Sequence, residues 1–288
     1  MHILHVTPYF PPTWAYGGIP RIVDGLSRAQ TKLNHTVSVL TTDVLDQNSR
    51  NNLPLFRKEE TINIINLPNL SNRLAYKQIF IPLRSQALST IPTPDIIHLH
   101  GHRHLLNTIA YRYAKKHRIP IVMTTNGTLH IHERRQTLKR VWDVIFSRDL
   151  IQNINQYIAV SPYDLHIHKK EGIPTNKTTM IPNGLDLGEF SPLPPRDQFR
   201  TRAKLDKRPI IAYLGQLSPR KGVLHLIEAC APMKDIQLII AGNDMGVGKE
   251  AQHAAQTAAA RPLADAGRAR SNSRRSSRVQ GCAAEAND

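Results

Sequence analysis

The chain has 288 residues, 40% of them hydrophobic, enough to bury one large core or two modest ones. Its formal charge of +16 favours anionic partners, whether nucleotides, phospholipid headgroups or nucleic acid, without choosing among them. The two cysteines, Cys230 and Cys282, form no disulfide framework and fit a reducing cytoplasm, and no apolar run approaches the roughly 18 residues that span a bilayer.

At the N-terminus "HILHV" predicts a strand. Prolines follow it at once and no basic region precedes it, which argues against a signal peptide. A loop with Gly17 and Gly18 leads into "PRIVDGLSRAQTKL", whose apolar residues recur at helical spacing. "TVSVLTT", "INIINLP" and "DIIHLH" predict strands, "LLNTIAYRYAKKH" a helix, "PIVMTTNG" a strand and turn, "TLKRVWDVIFSRDLIQNI" a helix and "YIAVS" a strand. Strands alternating with helices predict βαβ units and a parallel sheet buried on both faces.

The stretch "MIPNGLDLGEFSPLPP" carries four prolines and reads as a connection between domains. The rhythm then restarts with strand "PIIAYLGQ", helix "VLHLIEACAPM" and strand "IQLIIAG". From Ala251 onward the only large aliphatic residues are Leu263 and Val279, with no aromatic residue, so a disordered basic tail is expected; Ala254 to Ala260 has the propensity for a helix but little to hold it in place. The expected division is an N-terminal domain over 1–180, a connection over 181–207, an incomplete second domain over 208–250 and the tail over 251–288. Two strands fall short of the five or six or so in an ordinary sheet. The second domain therefore reads as a front part only, truncated or changed in reading frame near Glu250.

Three stretches can carry chemistry. In "GQLSPRKG" a strand ends at Gly215 and a helix begins near Gly222, so free N–H groups and a positive helix end stand beside Arg220 and Lys221. That suits a phosphate or diphosphate, although lysines also begin helices without any ligand. Gly17 and Gly18 allow a backbone to approach a ligand closely after the first strand, where α/β folds place ligands. The histidines of "HLHGHRHL", "LHIHE" and "LHIHKKE" match no standard zinc spacing and bring no cysteine, so no metal is expected. Some of them, His100 first, are expected instead as polar or acid–base groups. The segment around Leu138, Val141, Trp142, Ile145 and Phe146 is amphipathic, with basic residues opposite. It reads first as a core-facing helix and second as a contact with anionic membrane.

In this order, "YFPPTWAYGGIPRIVDGLSRAQ", "HTVSVLTT", "DIIHLHG", "TTNGTL", "IAVSPYD", "IPNGLDLGEFSP", "YLGQLSPRKGVLHLIEA" and "LIIAG" resemble the group 1 family of retaining glycosyltransferases, from Met1 to about Glu250. The resemblance implies an α/β GT-B-like fold: a Rossmann-like acceptor domain, then the first part of a Rossmann-like domain for a nucleoside-diphosphate sugar. It implies that Lys221, with Arg220, neutralises the departing diphosphate, while Gly17 and Gly18 close over it and Gly215 shapes the turn. His100 and Asn126 are expected at the reacting centre, with no cofactor beyond the donor substrate. The chain departs from the family at Gln216, where an arginine is usual, and at Asn126, where a histidine is common. The family's pair of donor-binding glutamates has no counterpart after Glu250.

The resulting expectation is a cytoplasmic enzyme that moves sugar from a nucleotide donor to a saccharide or lipid-linked acceptor, touching the inner face of the membrane. A truncated, inactive fragment that keeps the acceptor domain is the alternative. A basic anion- or nucleic-acid-binding module is the third reading, and it lacks the aromatic stacking residues such modules use.

Overall fold

The computed structural model describes residues 1–46, 49–76, 79–129, 136–195 and 197–260. It divides into two compact units, Met1–Glu189 and Phe190 onward, so the division lies inside the stretch expected as a connection.

The first unit is built on an eight-stranded sheet. Its strands are β1 (His2–Val6), β2 (Thr36–Thr42), β3 (Phe56–Glu59), β4 (Ile62–Leu67), β5 (Ile96–His100), β6 (Ile121–Thr124), β7 (Gln156–Ala159) and β8 (Thr178–Met180). They lie in the order β3-β4-β2-β1-β5-β6-β7-β8, parallel throughout except for the antiparallel edge strand β3. Without β3 the order begins like that of a doubly wound dinucleotide-binding sheet and reverses direction between β1 and β5. Helices α1 (Ile19–Lys32), α2 (Asn72–Tyr76), α3 (Leu105–His117), α4 (Gln136–Trp142), α5 (Arg148–Asn153) and α6 (Pro162–Lys170) connect the strands.

Alternation along the strands sorts the two faces. Leu4, Val6, Leu40, Ile97, Leu99 and Met123 enter the large core, with Leu106, Ala110 and Ala114 of α3. Val37, Val39, Ile62 and Ile64 point the other way and pack with Val23 of α1 and with Phe10 of the loop before it. Both faces are covered, which is why the central strands carry almost no exposed residue. The expected strands and helices of this unit are present, and the structure adds two strands that the sequence hides. β3 is "FRKE", a charged edge strand whose Arg57 pairs with Glu59. β8 has only three residues and leaves Thr179 and Met180 exposed.

The segment expected as one core-facing helix is different. It runs as α4, a π-helical turn over Asp143–Ser147, and α5. Leu150 is buried, but Val141 and Ile145 of the expected apolar face are exposed, while Trp142 and Phe146 are half-buried with their ring centroids 4.7 Å apart at a tilt of 41°. The core-facing reading fails there because the π turn shifts the phase of the apolar stripe. The side chain of Leu138 lies outside the described residues.

The second unit contains α7 (Gln198–Arg202), β9 (Ile210–Leu214), α8 (Val223–Cys230), β10 (Gln237–Ala241) and α9 (Gly248–Ala260), with β9 and β10 parallel and in full register. Helix α9 continues ten residues past the point where order was expected to end. Val247, Ala251 and Ala255 recur every fourth residue and bury against Val223 and Ile227 of α8. Small alanines permit that close approach, and alanine has the highest helix propensity. Asp244 starts the helix, its Oδ1 accepting from the N–H groups of Gly246 (2.8 Å), Val247 (3.1 Å) and Gly248 (2.8 Å). These bonds hold its carboxyl below the usual range. Residues 261–288 of the expected tail lie outside the described residues.

Candidate functional site

In the first unit the expected residues gather at the carboxyl edge of the sheet. Gly17 and Gly18 follow β1, His100 ends β5, and Asn126 follows β6. The first two loops flank the point where strand order reverses, the usual ligand crevice of an open α/β sheet. Gly17 has φ of 102° and its N–H donates to the Trp14 carbonyl, a conformation that favours glycine. Gly18 begins α1, and a Cβ there would meet nothing nearer than Ile22 at 4.0 Å, so its own surroundings leave room.

His100 is buried and already engaged rather than a freely exposed acid or base. It is 1% exposed and its Nε2 lies 2.9 Å from Nδ1 of His5. Register explains the meeting: His5 pairs with His98 across β1 and β5, so His5, His98 and His100 fall on one face. Nε2 of His5 reaches Gln30 Oε1 at 2.6 Å, and Nε2 of His98 reaches Thr124 Oγ1 at 2.7 Å. One ring nitrogen from each of the three histidines lies within 4.8 Å of the others, a set able to take up a metal ion. The set has no carboxylate, and four of its six ring nitrogens already have these partners, while Nδ1 of His100 is buried without one among the described residues. Burial pushes His5 and His104 down to about 4 and holds His98, His100 and His102 well below the ordinary histidine value. All five are neutral at physiological pH. His130 and His132 lie outside the described residues.

Asn126 sits in the left-handed region at φ 50°, followed by Gly127 at 71°. Its Oδ1 is buried and has no hydrogen-bond partner among the described residues, which leaves an acceptor for a ligand hydroxyl. Two clamps that sequence reasoning missed hold this loop. On one side the Thr125 hydroxyl lies between Asp164 (3.0 and 3.2 Å) and Nε2 of His168 (2.9 Å), all three buried. On the other, Arg103 donates to the carbonyls of Thr128 and Leu129 and to the carboxylate of Asp143 at 2.8 Å. A signal for the first clamp was present in "SPYD": Ser161 caps α6 by accepting from the Asp164 N–H at 3.1 Å, with Pro162 at the first turn. Nothing in the sequence tied Arg103 to residues about 25 and 40 positions away.

Asp164 is 2% exposed and also accepts from the Val160 N–H at 3.2 Å. Asp164→Ala leaves that N–H and the Thr125 hydroxyl short of an acceptor in a dry site. The expected cost is about 3 kcal/mol, seen as a lower urea midpoint with an unchanged slope. Asp164→Asn should recover about half of it; an unshifted midpoint in the alanine variant would refute the clamp.

In the second unit the turn after β9 is tightly held. The Gly215 N–H donates to Ala241 (3.0 Å), the Leu217 N–H to Asn243 (2.8 Å), and the Tyr213 hydroxyl to the Gln216 carbonyl (2.8 Å). A short 3₁₀ turn, Pro219–Lys221, then leads through Gly222 at φ 69° into α8. Arg220 and Lys221 are exposed there, and neither side chain has a hydrogen-bond or ion-pair partner among the described residues. Two exposed cations without a carboxylate partner beside a helix start are a chemistry suited to an anion.

Over 250 residues the chain is 25% identical to a GDP-mannose:cellobiosyl-diphosphopolyprenol alpha-mannosyltransferase of Xanthomonas campestris, covering 85% of this chain and 60% of that protein. Over 70 residues, 22% of this chain and 18% of the other, it is 41% identical to a GDP-mannose-dependent monoacylated alpha-(1-6)-phosphatidylinositol monomannoside mannosyltransferase of Corynebacterium glutamicum. The chain thus spans about three fifths of the length of the Xanthomonas relative it matches. Its fold is similar to sucrose-phosphate synthase of Thermosynechococcus elongatus (TM-score 0.64, 17% identity, 88% of this chain and 65% of that one). It is also similar to Anabaena HepE solved with UDP and glucose (TM-score 0.62, 17% identity, 90% and 65%). The family model for Glycosyltransferase Family 4 matches residues 16–189, more than half of the chain, and the chain belongs to that family.

Proposed function

We propose that the chain transfers a glycosyl group from a nucleoside-diphosphate sugar, GDP-mannose first among candidates, to a saccharide or lipid-linked acceptor. The observation that carries this reading is the unpaired Arg220 and Lys221 at the head of α8, in a chain whose family transfers sugars. Both mannosyltransferase relatives carry GDP-mannose in their names, and one of them names a diphosphopolyprenol acceptor.

In this reading negative charge grows on the diphosphate as the sugar leaves. Lys221, prepositioned and without a competing carboxylate, stabilises that charge more in the transition state than in the ground state. Arg220 adds a planar donor fork in place of the arginine that Gln216 replaces. Within the first unit taken by itself, the unsatisfied Oδ1 of Asn126 is an acceptor for a saccharide hydroxyl, and Gly17 and Gly18 offer bare backbone to a ligand. The side chains supply the positive charge, so the reaction as drawn needs no metal. A cytoplasmic location suits the free buried Cys230, and no helix among the described residues is long and apolar enough to cross a membrane.

The described part of the second unit has a two-stranded sheet, which favours as second reading a chain that binds acceptor without turnover. The test is transfer from radiolabelled GDP-mannose and UDP-glucose to a polyprenyl-diphosphate-linked disaccharide. Label should enter the lipid phase, and Lys221→Ala should slow it about 100-fold. No label from either donor, with acceptor still bound, would leave the second reading in its place.

A further inference from the structure

The segment from α4 to α5 carries an apolar stripe that no core takes up. Val141, Val144 and Ile145 recur at i, i+3 and i+4 and are 49, 71 and 64% exposed. Trp142 and Phe146, in tilted ring contact and half-buried, belong to the same segment. Arg140 and Arg148 flank the stripe, both exposed and neither ion-paired among the described residues. The segment has two acidic residues among those described: Asp143 is bound to Arg103, and Asp149 to Tyr111 and Lys115, so neither is left to offset the two arginines. Upstream, Arg134, Arg135 and Lys139 add further positive charge in the sequence, against Glu133.

We propose that this face docks on an anionic bilayer, with Val141, Val144 and Ile145 entering the headgroup boundary and Arg140 and Arg148 meeting lipid phosphates. The charge selects the occupant. A second copy of the chain would bring the same arginines against their own kind, and like charges oppose that pairing. An anionic lipid surface attracts them, and an apolar stripe edged by cations is the pattern of helices that lie in a membrane interface. Val144 and Arg148 also line a cavity of about 590 Å³ whose wall includes Ile151, Tyr157 and Ile173, so a lipid held here has an apolar recess beside it. The docking does not depend on sugar transfer and is read without turnover.

The experiment is co-sedimentation of the full chain with vesicles of phosphatidylcholine, alone or with about 30% phosphatidylglycerol. Binding should require the anionic lipid and fall with added salt. Val144→Ser/Ile145→Ser keeps the charge and should weaken binding about 10-fold, and Arg140→Gln/Arg148→Gln by a similar factor. All four positions are exposed, so near-ultraviolet circular dichroism should remain that of the parent. Unchanged partition of the serine variant would place binding elsewhere on the basic surface and overturn the proposal. Failure of the parent to bind anionic vesicles would do the same. So would a dimer, seen by light scattering, that the serine variant dissociates, because the face would then be a contact between copies.

Discussion

On acidification the first unit should unfold between about pH 6 and pH 4. Six of its buried histidines, His5, His98, His100, His102, His104 and His168, are held below their ordinary value, with burial the largest cause in each. In the unfolded chain each takes a proton near pH 6.5 or so. Protonation therefore favours unfolding: the stabilisation is complete above about pH 6.5 and drains away as pH falls towards the folded value. For His5 and His104, lowered to about 4, the loss is about 3 kcal/mol each. Those two alone approach the total stability of an ordinary domain, about 5–15 kcal/mol, and the other four act in the same direction. Clustering adds to the effect, since a charge on His5 or His98 opposes one on His100. Far-ultraviolet circular dichroism across this range, with His104→Asn as the comparison, measures it; a signal unchanged down to pH 4 would contradict the burial.

Gly242→Ala should dismantle the second unit while leaving the first intact. A Cβ at Gly242 would stand 1.8 Å from the Gly215 carbonyl oxygen and 2.6 Å from its carbon. Both are backbone atoms, so no rotamer change relieves the clash. Gly242 also has φ of 150°, which side-chain-bearing residues rarely adopt. The ends of β9 and β10 must separate, breaking the bonds from Gly215 to Ala241 and from Leu217 to Asn243 that hold the turn before Lys221. The expected cost is about 4 kcal/mol or more. Hydrogen exchange should accelerate over 210–260 and stay unchanged over 1–189. Gly246→Ala, where the added Cβ meets nothing within 4 Å, should cost about 1 kcal/mol. Equal protection in Gly242→Ala and the parent would refute the account of this turn.

The parts of the fold that were legible in sequence are those with strong local patterns. Strands such as "TVSVLTT" are β-branched and buried on both faces, and "LLNTIAYRYAKKH" coincides with α3 residue for residue. β3 was hidden because an edge strand carries charge, and α9 because its burial uses alanine, which looks the same in a packed helix and a solvated one. The π turn at Asp143–Ser147 could not be read from the period of a regular helix, and it reverses the fate of Val141 and Ile145. For the candidate site, the glycines and the Arg220–Lys221 pair were visible because their chemistry is local. The burial of His100 was not legible because its neighbour His5 lies 95 positions away and meets it only through strand register. The Thr125–Asp164–His168 clamp is non-local in the same way.

The central claim is that the turn from Gly215 to Gly222 grips a nucleoside diphosphate. Calorimetric titration of GDP-mannose into the full chain and into Lys221→Ala tests it most directly. The parent should bind with a dissociation constant between about 1 μM and 1 mM, and the variant at least about 10-fold more weakly. Equal affinity in the two proteins, or no heat of binding in the parent, would contradict it.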